Sequence, residues 1–416
     1  MVMPGYKQTE IGVLPDSWDT ITFEECFTIL PNNTLSRAEL NYNGGEVQNI
    51  HYGDILVKFP AVLDCSTEGL PYINKENVSK ASKGFLRDGD LIMADTAEDV
   101  IVGKSTEVIG IGDSKIVSGL HTIPCRPMDA EMFAPKWLGY FINHCTYHDQ
   151  LIPYITGIKV SSVSKSAISS TVIAVPPKPE QEAIAEALTD IDTLIVNLEK
   201  LIAKKKAIKQ GAMQELLTGK RRLPGFDGEW KTKAISDIAI ILDDHRIPVK
   251  ESDREKMEGD IPYCGANGVL GYVNDYTIDG DIILIAEDGG YFDEYATRPI
   301  AYKMAGKCWV NNHAHILQSK SNTNQDYLFY GLVHKDIRDF ITSGTRSKLN
   351  KSELLKIIVA LPVDFNEQTA IASILTDMDN EITVLKNRLF KLQNIKTGMM
   401  SELLTGRIRL IDKGDA

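Results

Sequence analysis

The stretch "EQEAIAEALTDIDTLIVNLEKLIAKKKAIKQGAMQELLTGKRRL", Glu180 to Leu223, is written again as "EQTAIASILTDMDNEITVLKNRLFKLQNIKTGMMSELLTGRIRL", Glu367 to Leu410. The offset is 187 residues without a gap, and about half of the 44 positions are identical. Identity of that extent at fixed spacing marks an internal duplication. In the second copy Ile371, Leu375, Met378, Ile382, Leu385, Leu389, Leu392, Met399 and Leu403 recur at steps of three and four with one step missed. The first copy answers with Ile184, Leu188, Ile191, Ile195, Leu198, Ile202 and Leu216. Such spacing keeps one apolar seam on a helix, the coiled-coil pattern. Gly219 and Gly406 supply the helix stops. Each copy predicts a helix of about 38 residues, roughly 57 Å long.

The duplication continues outward, more weakly. "VSKSAISSTVIAVPP" (163–177) resembles "LNKSELLKIIVALPV" (349–363), and "GDLIMADTAED" (89–99) resembles "GDIILIAEDGG" (280–290). "SGLHTIPCRP" (118–127) and "NNHAHILQSK" (311–320) follow at similar distances, and Trp18 and Trp230 mark the two starts. "GDLIMA", "TVIAV", "GDIILIA" and "KIIVAL" read as strands, being branched-rich runs bounded by Gly, Asp or Pro. "MFAPKWLGYFINHCT" (132–146) and "DYLFYGLVHKDIRDFI" (326–341) read as amphipathic helices. The expected class is α+β. A first mixed α/β globule spans 1–175 and a first long helix 176–222. A second globule spans 223–361, and 362–416 form a second long helix and tail. Antiparallel packing of the helices would relate the globules by a pseudo-two-fold axis. Two near-copies of one helical surface suit two copies of one partner, while diverged globules suit two different targets.

The 416 residues exceed one ordinary core, and 43% hydrophobic with 25% charged content is normal for a globular chain. No apolar run is long enough to cross a membrane, and "MVMPGYKQTEIG" lacks a signal-peptide core, so a cytoplasmic location is expected. The six cysteines are scattered with no C-x-x-C among them, which fits reduced thiols. The net charge is −12. Residues 1–179 carry 14 Lys+Arg against 21 Asp+Glu, and 223–366 carry 16 against 22. Neither globule is a basic nucleic-acid coat, so nucleic-acid binding would need cations clustered on one face.

Catalytic signatures are missing. Gly103-Lys104-Ser105 ends like a P-loop, but the glycine required earlier is Glu98. No G-x-S-x-G, H-E-x-x-H, EF-hand or amino-methyltransferase D/N-P-P-Y/F pattern occurs. His144 and His148 stand four apart on a predicted helix, without the further ligands a metal needs. His313 and His315 alternate on a predicted strand and so point to opposite faces. Asp95 and Asp288 read as loop-capping acids beside a turn. "KKKAIK" (204–209) reads as a solvated helix face. Two segments stand out, "TGIKVSSVSKS" (156–166) and "SGTRSKLNKS" (343–352). Each offers glycine, small hydroxyls and cations with no acid before the last strand of its globule, a composition suited to phosphate oxygens.

In "YKQTEIGVLPDSW", "VPPKPEQEAIAEALTDID", "LPVDFNEQTAIASILTDMD" and both "ELLTG" endings, the chain resembles the DNA specificity (S) subunit of type I restriction-modification systems. "HYGDILVK" (51–58), "SGLHTI" and "WVNNHAHIL" also resemble segments of that family, and the likeness covers essentially the whole chain. It implies two target recognition domains, each reading one half of a split, asymmetric double-stranded DNA target. It implies two paired helices that hold the domains apart and dock two modification (methyltransferase) subunits, which restriction subunits can join. S-adenosylmethionine and adenine methylation would belong to those partners, so this chain would carry no cofactor or metal and be non-catalytic. By position, the DNA-binding candidates are Lys159, Ser161, Ser162, Lys165, Thr345, Arg346, Lys348 and Asn350. The helix-pairing or partner-binding candidates are Ile184, Leu188, Ile191, Ile195, Leu198, Ile371, Leu375, Met378, Ile382 and Leu385. His121 and His313 lie in family-like segments, with DNA and core surroundings both open. The competing reading is a structural coiled-coil adapter with two protein-binding globules.

Overall fold

The computed structural model describes residues 3–81, 83–157, 159–342 and 347–410. Two compact units emerge, one built from residues up to Asn197 together with those from Leu389 onward, the other from Leu198–Arg388. Each is mixed α and β, and each contains part of both 39-residue helices, Lys178–Leu216 and Phe365–Leu403.

In the first unit a five-stranded sheet has the order Phe27–Ile29, Thr122–Pro127, Leu91–Ala94, Ser105–Ile109, Val62–Asp64. Leu91–Ala94, from "GDLIMA", is central and wholly buried, which is why it reads as an unbroken apolar run instead of an alternation. A second sheet pairs Ile116–Ser118 in parallel with Gln48–Ile50 and continues through Tyr72–Ile73 to Leu40–Asn41. The second unit repeats the first four places of the main sheet with Ala239–Ile241, Ala314–Ser319, Ile282–Ala286 and Ala301–Met304. It also repeats the parallel pair, as Ile261–Gly265 with Lys307–Val310. "TVIAV" and "KIIVAL" form edge ladders with Asp19–Thr22 and Trp230–Ala234.

Both amphipathic helices are shorter than expected. The first runs only Trp137–Ile142 and restarts as Cys145–His148. Asn143 breaks it, because its amide donates to the Gly139 carbonyl at 2.7 Å and exchanges bonds with the Ser105 backbone at 2.9 and 3.0 Å. His144 is therefore an N-cap accepting from Thr146 N–H, and His148 meets the Val102 carbonyl at 2.9 Å. They do not form an i, i+4 pair on one face. The second helix is Gln325–Val333 and stops well before 341. Buried Glu107 accepts from the backbone N–H groups of Lys136 (2.6 Å) and Gly139 (2.9 Å) at the start of Trp137–Ile142. Burial pushes its carboxyl up to about 7.

The repeated phrases meet at the helix ends, inside each unit. Glu180, 0% exposed, accepts from Trp18 Nε1 at 2.8 Å and from both arms of Arg409, while Gly406, at φ 65°, lies against Pro15 and Trp18. In the other unit Glu367, also 0% exposed, takes Arg222 at 2.7 and 2.8 Å, and Gly219, at φ 69°, lies against Trp230. A side chain on either glycine would strike the indole or its neighbour in a backbone region that suits glycine. The neighbouring glutamines are used alike. Gln181 accepts from Ala134 N–H and donates to the Pro176 carbonyl; Gln368 accepts from Asn324 N–H and donates to the Pro362 carbonyl.

The "LTD-x-D" segments repeat the pattern about three turns further on. Asp192 accepts from Tyr140 at 3.0 Å and pairs with Lys396 at 2.6 Å; Asp379 accepts from Tyr330 at 2.8 Å and pairs with Lys209 at 2.6 Å. The solvated-face reading of "KKKAIK" is thus corrected. Lys209 is held by Asp379 and Lys205 by Glu381, leaving Lys204 and Lys206 exposed. Of the seam residues, Ile184 and Leu188 pack with Leu403, Leu404 and Trp137, and Ile371 and Leu375 with Leu216 and Tyr327. Ile191, Leu198 and Ile382 are buried; Ile195, Met378 and Leu385 are half-buried.

Candidate nucleic-acid interface

The two Ser/Thr/Lys/Arg segments are not plain loops. Ser161–Ser162 forms a two-residue ladder with Thr96–Ala97, followed by the short helix Lys165–Ser169 capped by Ser164. Lys348–Leu349 forms one with Ile341–Thr342, bridges Asp288, and is followed by the short helix Lys351–Leu354. The backbone hangs from the sheet identically in both units. Val163 N–H donates to the Asp95 carbonyl at 3.0 Å, and Leu349 N–H to the Glu287 carbonyl at 2.7 Å.

The eight candidates fall into different roles. Lys159 and Lys165 are exposed and have no ion pair among the described residues, which leaves both charges available. Ser161 and Ser162 are half-buried, and the Ser162 hydroxyl meets Thr156 Oγ1 at 3.2 Å. Lys348 pairs with Glu287 at 2.8 Å, which raises its pKa and spends its charge internally. Asn350 stands at the N-cap position of the following helix without a side-chain capping bond, and its amide donates instead to Thr342 Oγ1 at 2.9 Å. Thr345 and Arg346 lie outside the described residues.

Beneath the second segment lies a buried ion network. Asp243, Glu287 and His315 bring ligand atoms within 4.8 Å of one another, a set that could hold a metal ion. Arg246 already bridges it, reaching Asp243 at 3.3 Å and contacting Glu287. His315 Nδ1 meets Asp243 at 2.7 Å, and its Nε2 meets the Leu349 carbonyl at 2.8 Å, tying the network to the segment. Burial is the largest single influence on the Asp243 carboxyl and raises it, but His315, the Ile316 backbone N–H and Arg246 together hold it below its usual range; for Glu287 burial is likewise outweighed by Lys348, Arg246 and His315 together. His313, by contrast, is half-buried and bonds Asp288 at 2.8 Å, so the two histidines do face different surroundings. His121, whose surroundings the sequence leaves open, lies beside Thr96 at 3.3 Å, next to the first segment.

The family model for the type I restriction modification DNA specificity domain matches residues 15–210 and 227–394, one match per repeat. The chain belongs to this family. A type I restriction enzyme specificity subunit, MjaX, from Methanocaldococcus jannaschii is 24% identical over 97% of both chains. One from Haemophilus influenzae is 37% identical over 153 residues, 37% of this chain and 38% of that protein. The fold is similar to the crystal structure of a type I restriction-modification S subunit from M. genitalium, with a TM-score of 0.62 at 16% identity, covering 93% and 96% of the two chains. A chain from a structural study of type I R-M complex assembly and conformational transition matches with a TM-score of 0.55 at 15% identity, covering 95% and 99%. Specificity subunits of this family are the DNA-recognition component of their systems. No helix among the described residues is long and apolar enough to cross a membrane.

Proposed function

We propose that this chain is the non-catalytic DNA specificity subunit of a cytoplasmic type I restriction-modification complex, reading a bipartite, asymmetric target. The observation that carries the reading is the double match of the specificity domain, one per repeat. The globules are the two target recognition domains, and their divergence makes the half-sites differ. Lys159 and Lys165 bind phosphate on one half. On the other, the candidates outside the described residues share that task, with Lys348 and Asn350 shaping the segment.

The long helices pair as an antiparallel coiled coil related by a pseudo-two-fold axis. Descending partner order supports this: Glu180 with Arg409 and Asp192 with Lys396, then Lys205 with Glu381, Lys209 with Asp379 and Arg222 with Glu367. Exposed apolar side chains on the same helices, Val384 and Phe390 at 65% and Ile208 at 48%, are the docking surface for two methyltransferase subunits. Those subunits bind S-adenosylmethionine and methylate adenine, and restriction subunits join the assembly.

The test is DNA binding by the chain with and without its modification subunits. The complex should prefer one split sequence. A complex that forms but binds DNA without sequence preference would leave the adapter reading in its place.

A further inference from the structure

Two histidines occupy one position in two diverged units. His121 accepts a hydrogen bond at its carbonyl from Asp95 N–H, and His313 accepts one from Glu287 N–H. Asp95 and Glu287 are the residues whose own carbonyls hold Val163 and Leu349, so a single residue, with a hydrogen bond on each side, links each histidine to the backbone of its DNA-facing segment. The ring of His121 meets Thr96, the cross-strand partner of Ser162; the ring of His313 meets Asp288, the bridge partner of Lys348. Both side chains remain open, 46% and 40% exposed.

In the neutral ring, the hydrogen bonds select which nitrogen carries the proton. Asp288, at 2.8 Å from His313 Nδ1, is held as an acceptor, so Nδ1 donates. In the other unit Thr96 gives its hydroxyl proton to Asp95 at 2.8 Å, so its oxygen can only accept from His121 Nδ1 at 3.3 Å, with Asp95 itself 3.5 Å away. Different residues thus impose the same tautomer. Nε2, with no partner among the described residues in either case, presents a lone pair. Tyr52 lies edge-on to the His121 ring at 5.2 Å and fixes its plane.

A lone pair at Nε2 needs a donor. Along the major groove the only donors on base edges are the exocyclic amino groups of adenine and cytosine; phosphates, guanine O6 and N7, and thymine O4 all accept. The carboxylates behind both rings, Asp95 and Asp288, also repel phosphate while favouring an amino edge. We propose that His121 and His313 are a matched pair of base-reading residues, one per half-site, each accepting from the amino group of an adenine or cytosine. This rests on the DNA-recognition reading above.

The test uses the full chain co-expressed with the host's modification subunits, with adenine methylation mapped across the genome for wild type, His121→Gly and His313→Ala. Glycine suits position 121 because its φ is 55°, where alanine would be strained. Melting of each purified variant within a few degrees of wild type confirms folding. The expected result is that each variant relaxes one base pair in one half-site only, different halves for the two variants. At that position the preference for adenine or cytosine should fall about tenfold, the low end of what a base contact discriminates. A uniform loss of methylation at every sequence would mean a phosphate or structural role and would overturn the proposal, as would an unchanged motif. A wild-type chain that defines no split motif at all would instead overturn the recognition reading on which it stands.

Discussion

The glutamates that open each repeat are the residues on which the fold is most exposed to damage. Glu180 and Glu367 are fully buried carboxylates, tolerable only because an arginine from the end of an "ELLTG" segment neutralises each. Arg409→Ala leaves Glu180 with Trp18 as its remaining strong donor. The expected cost is about 3 kcal/mol in denaturant unfolding of the first unit, and a change under about 0.5 kcal/mol would show the pair to be dispensable. Glu107 gives a pH signature. Folded, it keeps its proton to about 7, whereas an unfolded glutamate loses it near 4.5. Between those values the folded state binds more protons, so this residue's contribution to stability falls as pH rises from about 4.5 to 7. Melting curves of wild type and Glu107→Gln over that range should show the downward component only in wild type. None of these roles was legible from residue type. A charge beside an apolar seam, such as Lys209, looks solvated until the chain that supplies Asp379 is brought beside it.

At the scale of elements, the long helices were legible because a seam repeated over ten turns leaves few alternatives; both run 39 residues against the 38 expected. The central strands were legible for a similar reason, since burial on both faces leaves an apolar run. The two short amphipathic helices were overestimated because their ends are set by tertiary bonds, such as those of Asn143 to Ser105, which periodicity does not carry. The Ser/Thr/Lys/Arg segments read as loops in sequence but form two-residue ladders, because their partners lie more than 60 residues away in the first unit. If the helices set the separation of the half-sites, their length is the variable to change. Seven residues inserted at equivalent places in both, after Ala203 and after Phe390, keep the seam in register and add about 10 Å. The unread gap in the methylated motif should grow by about three base pairs with both half-sites unchanged. An altered half-site would count against a spacer role.

Across the whole molecule the charge is unfavourable for DNA. Both globules carry more acids than bases, and the structure spends further cations internally, Lys348 on Glu287 and Arg246 on Asp243 and Glu287. With acids in excess on both globules, the isolated chain should bind DNA weakly and with a shallow dependence on salt, most neutralisation of the backbone coming from partner subunits. Titrations at several salt concentrations check this, and a steep slope for the chain alone would contradict it. The double repeat, the diverged globules and the shared histidine position are accounted for together if one scaffold reads two different half-sites. The most direct measurement is an adenine-methylation map of the host genome with and without this gene, in cells that express the modification subunits. The account predicts that a single split, asymmetric motif loses its methylation when the gene is removed. An unchanged map under those conditions would contradict it.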